Sequence, residues 1–168
     1  SAGTYTVVAK YAGDGNYAPS ESDELTITVS KIDSSVSVDS ISFTYGGSDS
    51  AEATLVGATG VNAAIAGHDG AVSVDGTTIT VSGLPAGDYT MVVTTVPDAN
   101  HNAVSAEVAV TVNKANPVLV ISANVTEIKY PESIKLSGTL TPDDATGPIV
   151  YYLDGTPVDG DALCALAK

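Results

Sequence analysis

The chain has 168 residues and a formal net charge of −14, with 20 acidic residues against six Lys and Arg. This charge argues against a nucleic-acid partner, which needs a positive surface to displace counterions, and against an anionic membrane surface. The single cysteine, Cys164, excludes a disulfide within the chain. It is expected either to pack as a small apolar side chain or to reach a neighbouring chain as a thiol. No apolar run is long enough to span a bilayer.

The N-terminal residues alternate between apolar and polar side chains, as half-buried strands do. Residues 4–11 form the first predicted strand, residues 13–16 a turn rich in Gly, Asp and Asn, and residues 24–30 the second strand. One face of these strands carries the apolar residues Tyr5, Val7, Ala9, Tyr11, Leu25, Ile27 and Val29. We therefore expect this face to point into a core.

Short strands continue through the middle of the chain. Residues 41–45 alternate cleanly, Asp75 and Gly76 mark a two-residue hairpin turn, and residues 108–112 carry Val at every second position. No segment combines helix caps with a 3.6-residue period. Turn signals about every eight to twelve residues, with alternating strands between them, predict an all-β fold built as a β-sandwich.

The opening segment of the chain repeats 84 positions later. Residues 2–8 read AGTYTVV and residues 86–92 read AGDYTMV. The chain length is twice this offset, which predicts one period of a longer array, cut in the middle of a domain. Lys31 matches Lys114 at an offset of 83, so one residue is lost between the two copies.

After Lys114 the cycle restarts. The sequence predicts that Val118 and Val120 stand where Val36 and Val38 stood in the first cycle. Four apolar side chains of this last part are expected to face inward: Val118, Val120, Ile149 and Tyr151.

The repeat predicts three pieces: the C-terminal part of a domain (1–31), a complete domain (32–114) and the N-terminal part of a domain (115–168). Residues 115–168 would then be completed by residues 1–31 of a neighbouring copy. Two arrangements stay open: neighbouring repeats that are covalently continuous, or separate chains that exchange strands head to tail.

Several short motifs connect the chain to a known family. Residues 11–17 read YAGDGNY and precede a strand that ends with VSK at residues 29–31. An AGxYT segment lies before this motif, and FTYGG follows at residues 43–47. Together the motifs resemble the bacterial and archaeal Ig-like repeat domains of large adhesin-like surface proteins, over the whole chain. The second copy departs from the pattern, because residues 97–101 read PDANH.

The resemblance implies tandem Ig-like β-sandwich domains arranged end to end in an extracellular protein, attached to the cell surface or forming a filamentous appendage. The three predicted pieces would then be Ig-like. In such domains the Leu-x-x-Gly-x-Tyr segment resembles a tyrosine corner, in which the hydroxyl bonds to nearby backbone. Tyr89, and Tyr5 in the first copy, are the expected corner residues, with a structural role.

No catalytic site is predicted, and we interpret the chain as a protein that is not an enzyme. It has no Ser, His and acid order around a nucleophile elbow, and its carboxylates are spread over turns. His68 and His101 each lie in a turn without a second His nearby, so solvated turn residues are expected in place of a zinc site.

Calcium is the only cofactor that the turns suggest, and otherwise none is expected. Asp14 with Asn16, and Asp98 with Asn100, present hard oxygen ligands at equivalent positions. Asp and Asn are also the residues that turns use without any metal. Both interpretations stay open.

Two covalent modifications are also considered. Lys31 and Lys114, with Asn113 or Asn116 nearby, are the residue types of isopeptide crosslinks, although no acid catalyst is identified. Asn124 begins an Asn-Val-Thr glycosylation sequon.

The expected function is structural: an Ig-like repeat unit of an extracellular fibre, stalk or filament, with copies of itself as head-to-tail partners. The alternative is a cell-adhesion module that binds carbohydrate or a host or partner protein through its end loops. Glycan sites usually present exposed aromatic side chains, often Trp, and the chain has no Trp. Tyr17 and Tyr152 are the Tyr residues expected outside the alternating pattern.

Overall fold

The computed structural model describes residues 1–129 and 134–158. All helices and strands assigned in these two ranges are β-strands, so the described part of the chain is all-β. The chain divides into two compact units, Ser1–Ala115 and Asn116–Lys168. The predicted all-β class is confirmed, and the sheets of the first unit are consistent with a β-sandwich. The predicted boundary at residue 31 stays a prediction.

The first unit consists of short strands, with two nine-residue strands among them. Its strands are β1 (Gly3–Val7), β2 (Lys10–Tyr11), β3 (Ser20–Glu21), β4 (Leu25–Val29), β5 (Ile32–Asp33), β6 (Ser35–Ser37), β7 (Ile41–Thr44), β8 (Ser48–Glu52), β9 (Thr54–Val56), β10 (Val61–Ile65), β11 (Val72–Asp75), β12 (Thr78–Ser82), β13 (Gly87–Thr95), β14 (His101–Asn102) and β15 (Ser105–Asn113).

A four-stranded and a three-stranded sheet carry the core of this unit. The first has the order β10-β13-β15-β7 and the second the order β11-β12-β8. β13 and β15 pair antiparallel, and β15 pairs parallel with β7. The separate pair β6–β9 adds partly buried side chains to the same core. A parallel strand beside an antiparallel pair makes this a mixed sheet.

Every second residue of the long strands enters the core, because successive side chains of a strand point to opposite faces. On β13, Met91 and Val93 are buried while Val92 is exposed. On β15, Val108 and Val110 are buried. The buried apolar side chains form one cluster: Ile41, Phe43, Ala53, Val61, Ile65, Ile79, Val81, Leu84, Met91, Val93, Val108, Val110 and Val112.

The described residues of the second unit form β16 (Val118–Ala123), β17 (Leu136–Thr141), β18 (Tyr151–Leu153) and β19 (Thr156–Val158). β16 pairs antiparallel with β17, and β18 with β19. The turn between β18 and β19 contains Asp154 and Gly155 with φ angles of 49° and 80°. Positive φ at both central residues is what a type I′ hairpin turn requires.

The pairing of β16 corrects the predicted alignment of the second cycle. Leu119 lies opposite Leu140, as Val36 lies opposite Leu55 in the pair β6–β9. The counterpart of Val36 is therefore Leu119, one position later than expected. The sequence could not show this, because residues 118–121 are all apolar and a one-residue slip exchanges the two faces of a strand.

The predicted inward position of two valines is consequently wrong. Val118 lies opposite Thr141, and Val120 lies opposite Thr139. Directly opposed residues share a face of the sheet, so these valines belong to the face that carries threonines.

Candidate functional site

The strand pair β1–β4 repeats the geometry of β13–β15, the pair at the centre of the core. β1 begins with Gly3 opposite Val29, and β13 begins with Gly87 opposite Val112. The two glycines have φ angles of +154° and +158°, a conformation that favours glycine. The opening glycines are 84 positions apart, and their partners Val29 and Val112 are 83 positions apart. These two offsets hold along both ladders, so the two strand pairs have the same register.

The apolar face of β1–β4 is exposed, whereas its counterpart on β13–β15 is largely buried. Five side chains, each 43–61% exposed, form what we call the N-terminal apolar face: Tyr5, Val7, Leu25, Ile27 and Val29. Their counterparts are the partly buried Tyr89 and the buried Met91, Val108, Val110 and Val112. The opposite face of β1–β4 carries only threonines: Thr4, Thr6, Thr26 and Thr28.

The structure shows where the first copy carries the extra residue that changes the offset from 84 to 83. Between the paired segments β1–β4 and β2–β3, Val8 and Ala9 face the three residues 22–24. In β13–β15 the ladder runs unbroken from Gly87 to Thr94. The extra residue of the first copy therefore interrupts the ladder in the manner of a β-bulge.

Tyr5 and Tyr89 make the same hydrogen bond at equivalent positions. The Tyr5 hydroxyl donates to the carbonyl of Ser1 over 2.6 Å, and the Tyr89 hydroxyl donates to the carbonyl of Pro85 over 2.8 Å. The ring of His68 meets the Tyr89 ring edge-on, with centroids 5.0 Å apart. His68, expected as a solvated turn residue, is therefore half-buried against an aromatic ring.

The first of the two candidate calcium turns is held together by the Asp14 carboxylate. Its Oδ1 accepts the backbone N–H of Asn16 over 2.8 Å and that of Tyr17 over 2.9 Å. Its Oδ2 accepts the Tyr11 hydroxyl over 2.8 Å. The hydrogen bond from the Asn16 N–H, and next the one from the Tyr11 hydroxyl, lower the pKa of Asp14. The bond between Tyr11 and Asp14 also raises the pKa of Tyr11.

The second turn has the same backbone bonds. Oδ1 of Asp98 accepts the N–H of Asn100 over 2.7 Å and that of His101 over 2.6 Å. Nδ1 of His101 also lies 3.0 Å from both carboxylate oxygens. This ring, and next the Asn100 N–H, lower the pKa of Asp98.

These carboxylates are thus engaged by donors that are part of the turns themselves. Asn100 is engaged as well, because its Oδ1 accepts the N–H of Ala2 over 2.9 Å. Within residues 1–129 and 134–158, no three His, Cys, Asp or Glu side chains form a group that could hold a metal ion. Calcium binding at these turns stays a prediction.

A set of hydrogen bonds ties the strand pair β1–β4 to the second turn. The Lys31 amine donates to the carbonyl of Asp98 over 2.7 Å, and the Ile32 N–H donates to the carbonyl of Asn100 over 3.0 Å. With the bond from Ala2 to Asn100 they form what we call the junction contact. Sequence reasoning missed this contact. Its one signal was the recurrence of the lysine 83 positions later.

The second unit presents a concave apolar surface, which we call the C-terminal apolar face. It borders a cavity of about 230 Å³ and includes Leu119, Ile121, Leu136, Gly138, Ile149 and Tyr151. A Cβ at position 138 would lie 3.0 Å from Ile149 Cδ1 and from the Tyr151 hydroxyl, so these two side chains pack closely against Gly138. Ile149 and Tyr151 therefore lie on the face where the sequence placed them.

The residues of the predicted modifications have structural partners. Nδ2 of Asn113 donates to the Ser42 hydroxyl over 3.3 Å. Asn124 is exposed, and its Oδ1 accepts the N–H of Lys135 over 2.7 Å. Isopeptide formation and glycosylation stay predictions, and Cys164 lies outside the described residues.

Comparison of the chain with protein-family models found no match, and comparison with curated proteins found none at the level of significance applied. Among the described residues, no helix has the length and apolar character that a membrane crossing needs. The resemblance to adhesin-type Ig repeats thus rests on the motifs of the sequence alone and stays a prediction.

Proposed function

We propose that this chain is a structural Ig-like repeat unit of an extracellular fibre, stalk or filament in which copies assemble head to tail. One observation above all supports the proposal. The N-terminal apolar face has the register of the buried pair β13–β15, and yet it is exposed. Contiguous exposed apolar surface on a soluble domain is typical of an interaction site.

Burial of the exposed face would favour association. Ile27 is 44% exposed, whereas its counterpart Val110 is 0% exposed. Removing apolar surface from water contributes about 25 cal/mol per Å², or about 1.5–3 kcal/mol for a fully buried Val, Leu or Ile. Partial burial of the four Val, Leu and Ile side chains and of Tyr5 would therefore contribute several kcal/mol toward the entropic cost of association.

In the proposed assembly, the C-terminal apolar face of a second copy covers the N-terminal apolar face. In the first unit, β6 packs against β13 and β15, and Val36 and Leu55 of β6–β9 pack against the core. β16–β17 places Leu119 and Leu140 in the same register. A second copy's β16–β17 would thus cover β1–β4 as β6–β9 covers β13–β15.

Such an interface joins two different surfaces, so it leaves one free surface of each kind at the ends of every open assembly. Heterologous contacts of this kind extend into open filaments when the rotation does not close a ring. Exchange of strands between copies is an established way of completing a sandwich. The net charge of −14 keeps the sides of neighbouring filaments apart.

Electron microscopy and sedimentation of the full chain test the proposal. We expect filaments with a period on the order of 70–80 Å, the length of two domains with strands of eight to ten residues. Ile27→Asp places a charge on the N-terminal apolar face and is expected to abolish assembly. Thr26→Asp, one residue away on the threonine face, is the matched control and is expected to assemble.

The orientation is tested by blocking one face at a time. Ile27→Asp and Ile121→Asp each leave one apolar face intact, so a mixture of the two variants should form a 1:1 dimer that does not elongate. Wild-type chains that stay monomeric at every concentration would overturn the proposal. A symmetric wild-type dimer would overturn the head-to-tail arrangement.

A second candidate function, an adhesin module, is favoured by one observation. Tyr17, which follows Asn16 in the first turn, is 70% exposed, and its phenol ring is the kind of surface on which a sugar stacks. A glycan array with the wild-type chain tests this function. Specific signals that disappear with Tyr17→Ala would support it, and a blank array would remove it.

A further inference from the structure

The junction contact has a donor side and an acceptor side. The donors are the Lys31 amine and the N–H groups of Ala2 and Ile32. The acceptors are the carbonyls of Asp98 and Asn100 and the side-chain Oδ1 of Asn100. The contact lies where the end of β4 meets the turn that follows β13.

Both sides of this contact occur a second time in the chain. The donor side recurs as Lys114 and Ala115, 83 positions later, and as Ala86, 84 positions later. The acceptor side recurs, 84 positions earlier, as Asp14 and Asn16. The sequence therefore holds one spare donor set and one spare acceptor set.

The spare acceptor set already has the conformation of the one in use. In both turns an Asp Oδ1 accepts the N–H groups two and three residues further on, over 2.6–2.9 Å. Asp14, Asn16, Ala86 and Lys114 are all exposed, and Ala115 is half-buried. The spare acceptor set therefore does not have to refold in order to meet its partner.

We propose that the turn at Asp14 and Asn16 of a second copy docks on Ala86 and Lys114 and fixes the register of the head-to-tail seam. In this seam the Lys114 amine donates to the carbonyl of the second copy's Asp14. The Ala86 N–H donates to the side chain of the second copy's Asn16, and the Ala115 N–H to its carbonyl. The inference rests on the proposed head-to-tail assembly and names the contacts that set its geometry.

The seam between copies lacks two hydrogen bonds that lie beside the junction contact within a chain. Within the chain, the Ser34 N–H donates to the carbonyl of Asn102 over 3.3 Å. The residue at the corresponding position of the seam is Pro117, which has no N–H. The bond from Asn102 Nδ2 to Asp33 is lost as well, because Ala18 replaces the asparagine. The apolar faces therefore supply most of the affinity, and the polar seam supplies the orientation.

Cysteine crosslinking of the full chain tests the seam. In a chain that carries Cys164→Ser, the pair Asn16→Cys and Ala86→Cys is treated with a short bis-maleimide after assembly. We expect a ladder of covalent multimers on a denaturing gel. The pair Ala2→Cys and Asn100→Cys reproduces the junction contact and is the matched control, expected to crosslink within single chains.

The outcomes separate the seam from the assembly itself. A ladder from the 16/86 pair that Ile27→Asp removes would support the seam. Filaments that form normally while the 16/86 pair yields only single chains, although the 2/100 pair reacts, would overturn the seam and leave the proposed function standing. Chains that never assemble would overturn the proposed function.

A second measurement uses the two equivalent lysines. Lys114→Ala is expected to weaken association about tenfold, the usual effect of losing one hydrogen bond from a charged donor. Lys31→Ala removes the same bond within the chain and should lower the thermal stability of the first unit without changing association. Equal association constants for the two variants would count against the seam.

Discussion

β1–β4 and β13–β15 are two antiparallel strand pairs with the same register, the same opening glycine and the same tyrosine-to-carbonyl bond. They differ in what covers their apolar face. β13–β15 is covered by the other strands of the core, whereas the apolar face of β1–β4 remains exposed. The difference teaches that strand pairing follows from local alternation and turn chemistry, while burial depends on elements that are distant in the sequence.

The same contrast applies to β6–β9 and β16–β17. Val36 and Leu55 are partly buried against the core, whereas Leu119 at the position of Val36 is 55% exposed. Among the described residues, β13–β15 and β6–β9 thus contribute to a core, whereas their counterparts β1–β4 and β16–β17 have an exposed apolar face. This complementarity is the basis of the proposed assembly.

A charge on the apolar face is expected to give the largest difference in unfolding free energy between the two strand pairs β13–β15 and β1–β4. Val110→Asp places a carboxylate at a fully buried position and should lower the free energy of unfolding of the first unit by about 4 kcal/mol or more. Ile27→Asp at the equivalent exposed position should change it by less than about 1 kcal/mol when measured on monomers.

Urea denaturation followed by circular dichroism measures both variants. A stable Val110→Asp variant would contradict the description of the core. An equally destabilised Ile27→Asp monomer would show that β1–β4 is buried in the free chain, which would contradict the comparison.

A smaller difference in unfolding free energy is expected when the hydroxyl of Tyr89 or of Tyr5 is removed. Tyr89→Phe removes the bond to Pro85 beside the core and should cost about 0.5–1.5 kcal/mol of unfolding free energy. Tyr5→Phe removes the same bond on the exposed pair and should cost the monomer less. Thermal unfolding of the variants at equal concentration gives the comparison, and a larger loss for Tyr5→Phe would reverse our interpretation.

The smallest effect is expected in the acid dependence of stability, through the carboxylate of Asp98. The pKa of Asp98 is lowered in the folded chain, so the unfolded chain binds more protons at low pH and stability rises with pH in this range. The stabilisation by Asp98 is present above the ordinary Asp pKa of about 4 and is lost as the pH falls through the lowered value.

Asp98→Asn should therefore flatten the dependence of the unfolding temperature on pH between about pH 2 and 5. Asn retains an oxygen that can accept the backbone bonds of the turn. The pKa of Asp14 is lowered as well, so Asp14→Asn should also flatten the curve. Identical pH profiles for wild type and Asp98→Asn would contradict the role of this carboxylate.

Much of the candidate site could be predicted from the sequence. The alternation of Leu25, Ile27 and Val29 with threonines correctly assigned the two faces of β4. The repeat at an offset of 84 predicted which strands are equivalent, and the registers of the strand pairs agree with it. These predictions succeed because side-chain periodicity and turn residues act over a few neighbouring positions.

Other features required the tertiary structure. A run of four apolar residues at 118–121 has no alternation, so only the pairing with β17 shows that Leu119 and Ile121 form the concave face. The junction contact joins Lys31 to Asp98 across 67 positions, and nothing local in the sequence encodes such a bond.

The sequence by itself thus determined the all-β class, the two faces of each clearly alternating strand and the spacing of the repeat. Only the tertiary structure decided which copy of each face is buried, where the extra residue interrupts the ladder, and which turn meets which lysine. The physical reason is that periodicity is a property of neighbouring residues, whereas burial and long-range hydrogen bonds depend on which strands pack together.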